Sequence, residues 1–224
     1  MTEQITKYLI KDFEQYTLFL LGDRGSGKSN AIKGIIKQHL ANKTVDYVVC
    51  FSPTGGFSKV GGSYDYLPDK FIHKQYTEEK LKNILNFQEN RVKNNQPSDM
   101  ILIFDDMLGI NTNTPTFTRL ITCNRHYNIR IIFSAQYVKG TLNPLMRSNT
   151  NVVMLFKLSN HGVLKEFKNW WLYDDNLNRI EELDKMPKYT FLMVNTLSET
   201  KYKYNFGQFP KIKDFKLNYN NNEK

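Results

Sequence analysis

Residues 17–40 read TLFLLGDRGSGKSNAIKGIIKQHL, and this stretch decides the fold. A short apolar run, Leu18 to Leu21, ends at Gly22 and opens the pattern G-x-x-x-x-G-K-[ST], filled by Gly22, Gly27, Lys28 and Ser29. Behind the loop, Ala31, Ile32, Ile35, Ile36 and Leu40 recur at helical spacing. Strand, glycine loop and helix in that order are the context in which the pattern becomes a phosphate-binding loop. Gly22, Gly25 and Gly27 let the backbone bend until its N–H groups surround phosphate oxygens. The helix adds the positive end of its dipole. Lys28 is placed to meet the β- and γ-phosphates of a nucleoside triphosphate, and the Ser29 hydroxyl to ligate Mg2+. The nucleotide-binding set is therefore Gly22, Asp23, Arg24, Gly25, Ser26, Gly27, Lys28, Ser29 and Asn30.

The rest of the chain is built around that loop. Its 224 residues, 40% hydrophobic and 24% charged, suit one globular domain with a substantial core. No apolar run reaches the length of a membrane span. The first residues, MTEQITKYLI, lack the basic-then-apolar plan of a secretory signal. Cys50 and Cys123 do not suggest a disulfide framework, so a reducing, cytosolic setting is expected. A net charge of +9 favours a polyanionic partner such as nucleic acid, although frequent Lys and Asn usage gives the same excess without one.

Strands and helices alternate. Residues 1–16 are expected to form an amphipathic helix with Ile5, Leu9 and Phe13 on one face. Val45 to Phe51 reads as a buried strand, and the glycine-rich stretch 54–75 as a long mobile loop at the sheet edge. Thr77 caps a helix over 78–93. A strand over Met100–Phe104, a helix over 115–127 and a strand over Ile129–Phe133 come next. A loop carrying Asn143, Pro144 and Arg147 leads to a strand at Val152–Phe156 and an amphipathic helix over 161–172. Tyr189–Asn195 and Lys201–Phe206 read as a hairpin closing a domain of residues 1–206, with 207–224 a basic, Asn-rich, flexible tail. This alternation implies an α/β fold with a mainly parallel central sheet and right-handed crossovers.

Two further strand ends carry chemistry. ILIFDD, residues 101–106, is an apolar strand ending in two carboxylates, at the sheet edge where parallel α/β folds bind ligands. Asp105 would hold Mg2+ as a Walker B aspartate, and Asp106 would polarise the attacking water. Glu is commoner in the second position, and Asp is shorter. IRIIFSAQ, residues 129–136, repeats the form. Should its strand lie between the P-loop and Walker B strands, Gln136 reaches the γ-phosphate and senses its presence.

The set GDRGSGKS, VVCFSPT, ILIFDD, CNRH, FSAQ and NPLMRSN resembles the FtsK–HerA superfamily of DNA-pumping ATPases. It is most similar to the genome-packaging ATPases of large double-stranded DNA viruses, of the poxvirus type, and of their virophage relatives. The likeness runs over about residues 17–160, and FSAQ with NPLMRSN makes it specific. It implies an additional-strand catalytic P-loop fold, a homo-oligomeric ring (pentamer or hexamer), and movement of duplex DNA driven by ATP and Mg2+. It also implies docking on a capsid portal or vertex in the host cytoplasm. Lys28 and Ser29 match the family's nucleotide site, Asp105 and Asp106 its Walker B pair, and Gln136 its sensor. An arginine from a neighbouring subunit is expected, matched by Arg125 or Arg147. Arg24, inside the loop, is the rival acting within one subunit.

Other classes fit less well. A GTPase would show N-K-x-D after the Walker B strand; Asn42-Lys43 precedes it, and Asp46 is one position too far on. A small-molecule phosphotransferase needs a lid, which 54–75 could supply, and an acceptor pocket. A DNA-dependent ATPase outside packaging stays open. With only one P-loop module a two-domain helicase is unsupported, and an appended nuclease is not expected at this length. Intact Lys28, Ser29 and Asp105 argue against a non-catalytic binding protein. Cys123-x-x-His126 has no second ligand pair for zinc nearby. Trp170 and Trp171 read as core rather than base-stacking residues.

Overall fold

The apolar runs become neighbouring strands of a single sheet. The computed structural model describes residues 15–55, 63–107, 109–172, 178–185, 187–196, 203–209, 211 and 215–217. The helix expected over 1–16 lies almost wholly outside them. The strands are β1 (Thr17–Leu21), β2 (Tyr47–Phe51), β3 (Ile72–His73), β4 (Met100–Asp105), β5 (Ile129–Ala135), β6 (Val152–Phe156), β7 (Thr190–Asn195) and β8 (Lys203–Gln208). Their order is β3-β2-β4-β5-β1-β6-β7-β8. From β3 to β6 all pairs are parallel, and β7 and β8 add an antiparallel hairpin. Every residue of β1, β4, β5 and β6 is buried, as expected of strands covered on both faces.

Alternation along the strands divides the core. Phe19 and Leu21 join one face with Leu102, Phe104, Ile131 and Phe133; Leu18 and Leu20 join the other with Ile101, Ile103 and Ile132. The first face is covered by α2 (Glu78–Lys93), α3 (Pro115–Cys123), α5 (His161–Trp171) and α6 (Asn178–Lys185), with the short α4 (Pro144–Ser148) beside α3. Sequence explains their starts. Thr77, Thr114, Asn143 and Asn160 each accept a backbone N–H from the first turn, and proline opens α3 and α4. Parallel register places Phe51, Phe104 and Phe133 side by side, with ring centroids 5.3 and 5.2 Å apart, as a rigid ladder under the strand ends.

The second face is covered differently. α1 (Lys28–Ala41) contributes Ala31, Ile32, Ile35 and Ile36, and irregular chain supplies the rest. Tyr64, Tyr66 and Leu67 are buried there, so the described part of 54–75 is packed chain rather than a mobile loop. β3 also falls in that stretch, as a two-residue edge strand. The expected tail begins inside β8, and Phe209 is buried against α1 at Gly34. Phe215 lies 4.9 Å from the Tyr66 ring, and Leu217 N–H donates to Tyr66 O. α4 and α6, neither expected from the sequence, are too short to show a helical period. Among the described residues, no helix is long and apolar enough to cross a membrane.

Candidate active site

Parallel strands all end at one edge, and β5 lies between β1 and β4. That order gathers Gly22 after β1, Asp105 at the end of β4 and Gln136 after β5. The loop is anchored from both neighbours of β1. Gly22 N–H donates to Ala135 O at 3.3 Å, and Asp23 N–H to Lys157 O at 3.0 Å. The Asp23 carboxylate accepts from Ser159 N–H at 2.7 Å and from its hydroxyl at 2.6 Å. Through its side chain Asp23 thus braces the loop, a role its place in the motif does not reveal.

Gly27, at φ 115°, has the left-handed backbone that turns the loop into α1. Ser26 Oγ is buried without a hydrogen-bond partner, an orphan that a ligand oxygen would satisfy. Lys28 Nζ donates to Gly22 O at 2.7 Å and Asp23 O at 3.0 Å. Burial lowers its pKa, and Asp105, Asp106 and Asp23 act in the opposite direction. Ser29 and Asn30 follow in the first turn, with Asn30 Nδ2 donating to Phe209 O at 3.0 Å.

Asp105 is buried, and desolvation raises its pKa. The Ser134 and Tyr64 hydroxyls and the Lys28 charge pull the other way. Both hydroxyls lie beside the carboxylate, yet neither meets hydrogen-bond geometry. Asp106 is exposed in the left-handed region at φ 53°, its N–H donating to Ser134 O at 2.9 Å. This bend points the chain away from the sheet and leaves the second carboxylate in water's reach. Gln136 is half-buried and Arg24 exposed.

Neither candidate arginine joins these groups. Arg125 is exposed in the 3-10 turn Asn124–Tyr127 that leads into β5, so it sits at the opposite edge of the sheet. There it lines a polar hollow of about 350 Å³ with Thr122, Asn124, His126, Asn149 and Asn151. Arg147, in α4 just before β6, is also on the far side; its guanidinium stacks on Trp170 at 3.1 Å. Trp171 is core, packed on Phe19 and Phe167.

Hard oxygen donors at Asp105 and Ser29 fit Mg2+, which in triphosphate sites takes one or two carboxylates and leaves the remaining positions to phosphates and water. Among the described residues no group of three or more His, Cys, Asp or Glu side chains is placed to hold a metal ion. Sequence reading missed Ser159, Tyr64, Tyr189 and Phe209 at this edge; a polar or aromatic residue in aperiodic chain carries no local signal of its tertiary partner.

Residues 5–163 match the model of the family described as Poxvirus A32 protein. Uncharacterized protein 088R of Invertebrate iridescent virus 3 is 28% identical over 161 residues, 70% of this chain and 58% of that one. Uncharacterized protein L437 of Acanthamoeba polyphaga mimivirus is 30% identical over 155 residues, 63% of this chain and 52% of that one. The chain thus spans little more than half the length of these relatives. Among solved structures, the genome packaging NTPase B204 from Sulfolobus turreted icosahedral virus 2, in complex with ATP-gammaS, superposes with a TM-score of 0.64 at 18% identity, over 89% of this chain and 99% of that one. The cytoplasmic domain of the Thermomonospora curvata Type VII secretion ATPase EccC gives 0.57 at 11% identity, over 88% of this chain and 25% of that one. At such identities the structural likeness speaks for the fold.

Proposed function

Because the chain belongs to the Poxvirus A32 protein family, we propose that it is an ATP-driven double-stranded DNA translocase that packages a viral genome into a preformed capsid. The observation that carries this reading is the placement of β5 between β1 and β4, which brings Lys28, Asp105, Asp106 and Gln136 to one edge. The net charge of +9 suits a duplex partner held through its phosphates. The subunits form a ring, pentameric or hexameric, that works in the host cytoplasm and docks on a capsid portal or vertex.

The residues divide the chemistry. Lys28 exchanges the carbonyls of Gly22 and Asp23 for β- and γ-phosphate oxygens. The loop N–H groups and the start of α1 receive the remaining phosphate charge. Ser29 and Asp105 would hold Mg2+, which when bound offsets negative charge on the phosphates. Asp106 takes the proton of the attacking water, and Gln136 contacts the γ-phosphate and transmits its loss. Within the loop Arg24 is the one cation besides Lys28, and Lys139, Lys157 and Lys188 lie on the chain that flanks β5, β6 and β7 at this edge, none of them in the loop itself. Arg125 at the opposite edge is free of the stacking that occupies Arg147, so it is the residue a neighbour would present.

Displacement of a third strand from triplex DNA tests translocation. The chain should strip it only with ATP and Mg2+, at a rate lost in Lys28→Ala. Phosphoryl transfer to a nucleoside in place of water, with no displacement, would establish the phosphotransferase reading instead.

A further inference from the structure

The sheet order gives the bound nucleotide a direction. The groups that act on the γ-phosphate, Asp105, Asp106 and Gln136, follow β4 and β5 on one side of β1. A triphosphate lying across the loop with that end toward β4 runs its nucleoside to the other side, toward β6 and β7. β7 is antiparallel to β6, with Phe191 opposite Phe156, so it begins at the site edge and puts Tyr189 there.

We propose that Tyr189 is the platform on which the nucleobase stacks, an assignment that rests on the P-loop reading above. Its half-buried ring lies against the loop: a Cβ added to Gly27 would fall 2.6 Å from Tyr189 Cδ1. Gly27 is therefore glycine for two reasons, its φ of 115° and the ring beside it. Tyr189 itself has φ 68°. A bulky residue in that region is strained and persists only where its surroundings hold it, and such strain gathers at ligand sites. Here Thr190 N–H donates to Pro187 O at 3.3 Å, and Gln208 Nε2 clamps Lys188 O at 2.9 Å.

The same contacts determine how the base is read. Gln208 occupies the Lys188 carbonyl, and Asn30 the Phe209 carbonyl, at 2.9 and 3.0 Å. Among the described residues, each of these acceptors already takes one hydrogen bond within the chain, and the tyrosine offers a ring face. Every base has a π-face, so stacking recognises a base without reading its edge. ATP and GTP should bind with similar affinity, and both should depend on the ring.

Calorimetric titrations of the full chain with Mg-ATP, Mg-GTP and Mg-tripolyphosphate separate the base from the phosphates. Tyr189→Ala should bind ATP and GTP roughly 5- to 150-fold more weakly, the range expected for a lost base stack. Its tripolyphosphate affinity should stay within about twofold of the wild type, far inside that range. Tyr189→Phe should match the wild type, because the ring and not the hydroxyl is used. Tyr189→Gly suits the positive φ, and should reproduce the alanine result with an undiminished thermal midpoint, separating ring loss from loop damage. Equal loss for tripolyphosphate and ATP, a loss confined to ATP, or an alanine variant that binds ATP normally would each overturn the assignment. Tripolyphosphate binding that Lys28→Ala abolishes would keep the P-loop reading standing through any of these. Wild-type protein that binds none of the three overturns both.

Discussion

Where the parallel strands end, burial works against the ionisation of an acid, Asp105; where they begin, burial keeps a base, His39, uncharged. The two edges differ in who supplies the partners. At the starting edge the chain does so itself. His39 Nε2 meets the Tyr16 hydroxyl at 3.0 Å and Nδ1 the Thr44 hydroxyl at 2.8 Å. Nearby, Arg130 Nη1 donates to Asp99 at 2.9 Å and to Thr44 O at 3.1 Å, and Nε alone of its nitrogens is buried without a partner. At the ending edge the hydroxyls of Ser134 and Tyr64, beside a desolvated carboxylate, and of Ser26 in the loop are buried without a hydrogen-bond partner. The starting edge is closed mostly by its own hydrogen bonds, with Gln15 Oε1 and Arg130 Nε left over, whereas the orphaned hydroxyls of the ending edge are those a bound ligand would satisfy. Unsatisfied groups of this kind cost stability, which is the usual trade at a functional site.

The largest effect should come from Lys28→Ala. Its side chain bonds only loop carbonyls among the contacts seen, so hydrolysis should vanish while the thermal midpoint stays near the wild type. Turnover in a folded Lys28→Ala protein would remove the ending edge from the chemistry. Arg125→Ala should follow, cutting the hydrolysis rate by roughly 10³–10⁵ with nucleotide affinity preserved. Neither variant alone should be active, yet mixed rings should recover partial activity, because an intact Lys28 site can face an intact Arg125. Zero activity at every ratio, with co-assembly verified by mass, would pass the role to Arg147.

The Walker B pair sharpens the contrast between edges. Folding raises the Asp105 pKa, so its ionised form at neutral pH opposes folding, and the opposition disappears once pH falls below the range in which the carboxylate ionises. Asp105→Asn should therefore raise the midpoint of the ligand-free protein and weaken Mg2+-dependent nucleotide binding. Asp106→Asn should bind Mg-ATP normally and hydrolyse it slowly, since asparagine tolerates the left-handed backbone at this position. Equal affinities in the two variants, with turnover retained in Asp106→Asn, would dissolve the division of labour.

A smaller effect belongs to the starting edge. Burial, assisted by the Arg130 charge, lowers the His39 pKa from 6.5 to about 3. A base whose folded pKa is lowered gives its full stability above the unfolded pKa, and loses it as pH falls from about 6.5 toward 3. At pH 5 the loss should be about 2 kcal/mol relative to neutral pH. Chemical denaturation of the wild type and His39→Gln at pH 7 and pH 5 checks this: the variant should show the smaller difference. Equal slopes would mean that His39 takes up its proton in the folded state.

The helix-covered face was legible because Leu81 and Leu85, or Phe117, Leu120 and Ile121, repeat at helical spacing. The P-loop and the carboxylate pair were legible because each follows an uninterrupted apolar strand, and Gln136 because it closes a strand that is apolar except at Arg130 and Ser134. Strand order was not written in the sequence; it was only a condition attached to Gln136. Tyr64 and Tyr66 sit in glycine-rich chain with no period, and Phe209 in a basic stretch that reads as solvated. Their burial depends on one another and on α1, so nothing within a short window announces it. Tyr189 was read as a strand residue, when its left-handed backbone places it at the turn before β7.

ATP hydrolysis by the full chain, measured with and without duplex DNA over a range of salt, tests the central claim most directly. A DNA-driven motor of this charge should hydrolyse faster on duplex of any sequence, with stimulation falling steeply as salt rises, because its phosphate contacts release counterions. Hydrolysis indifferent to duplex DNA even at low salt would contradict it.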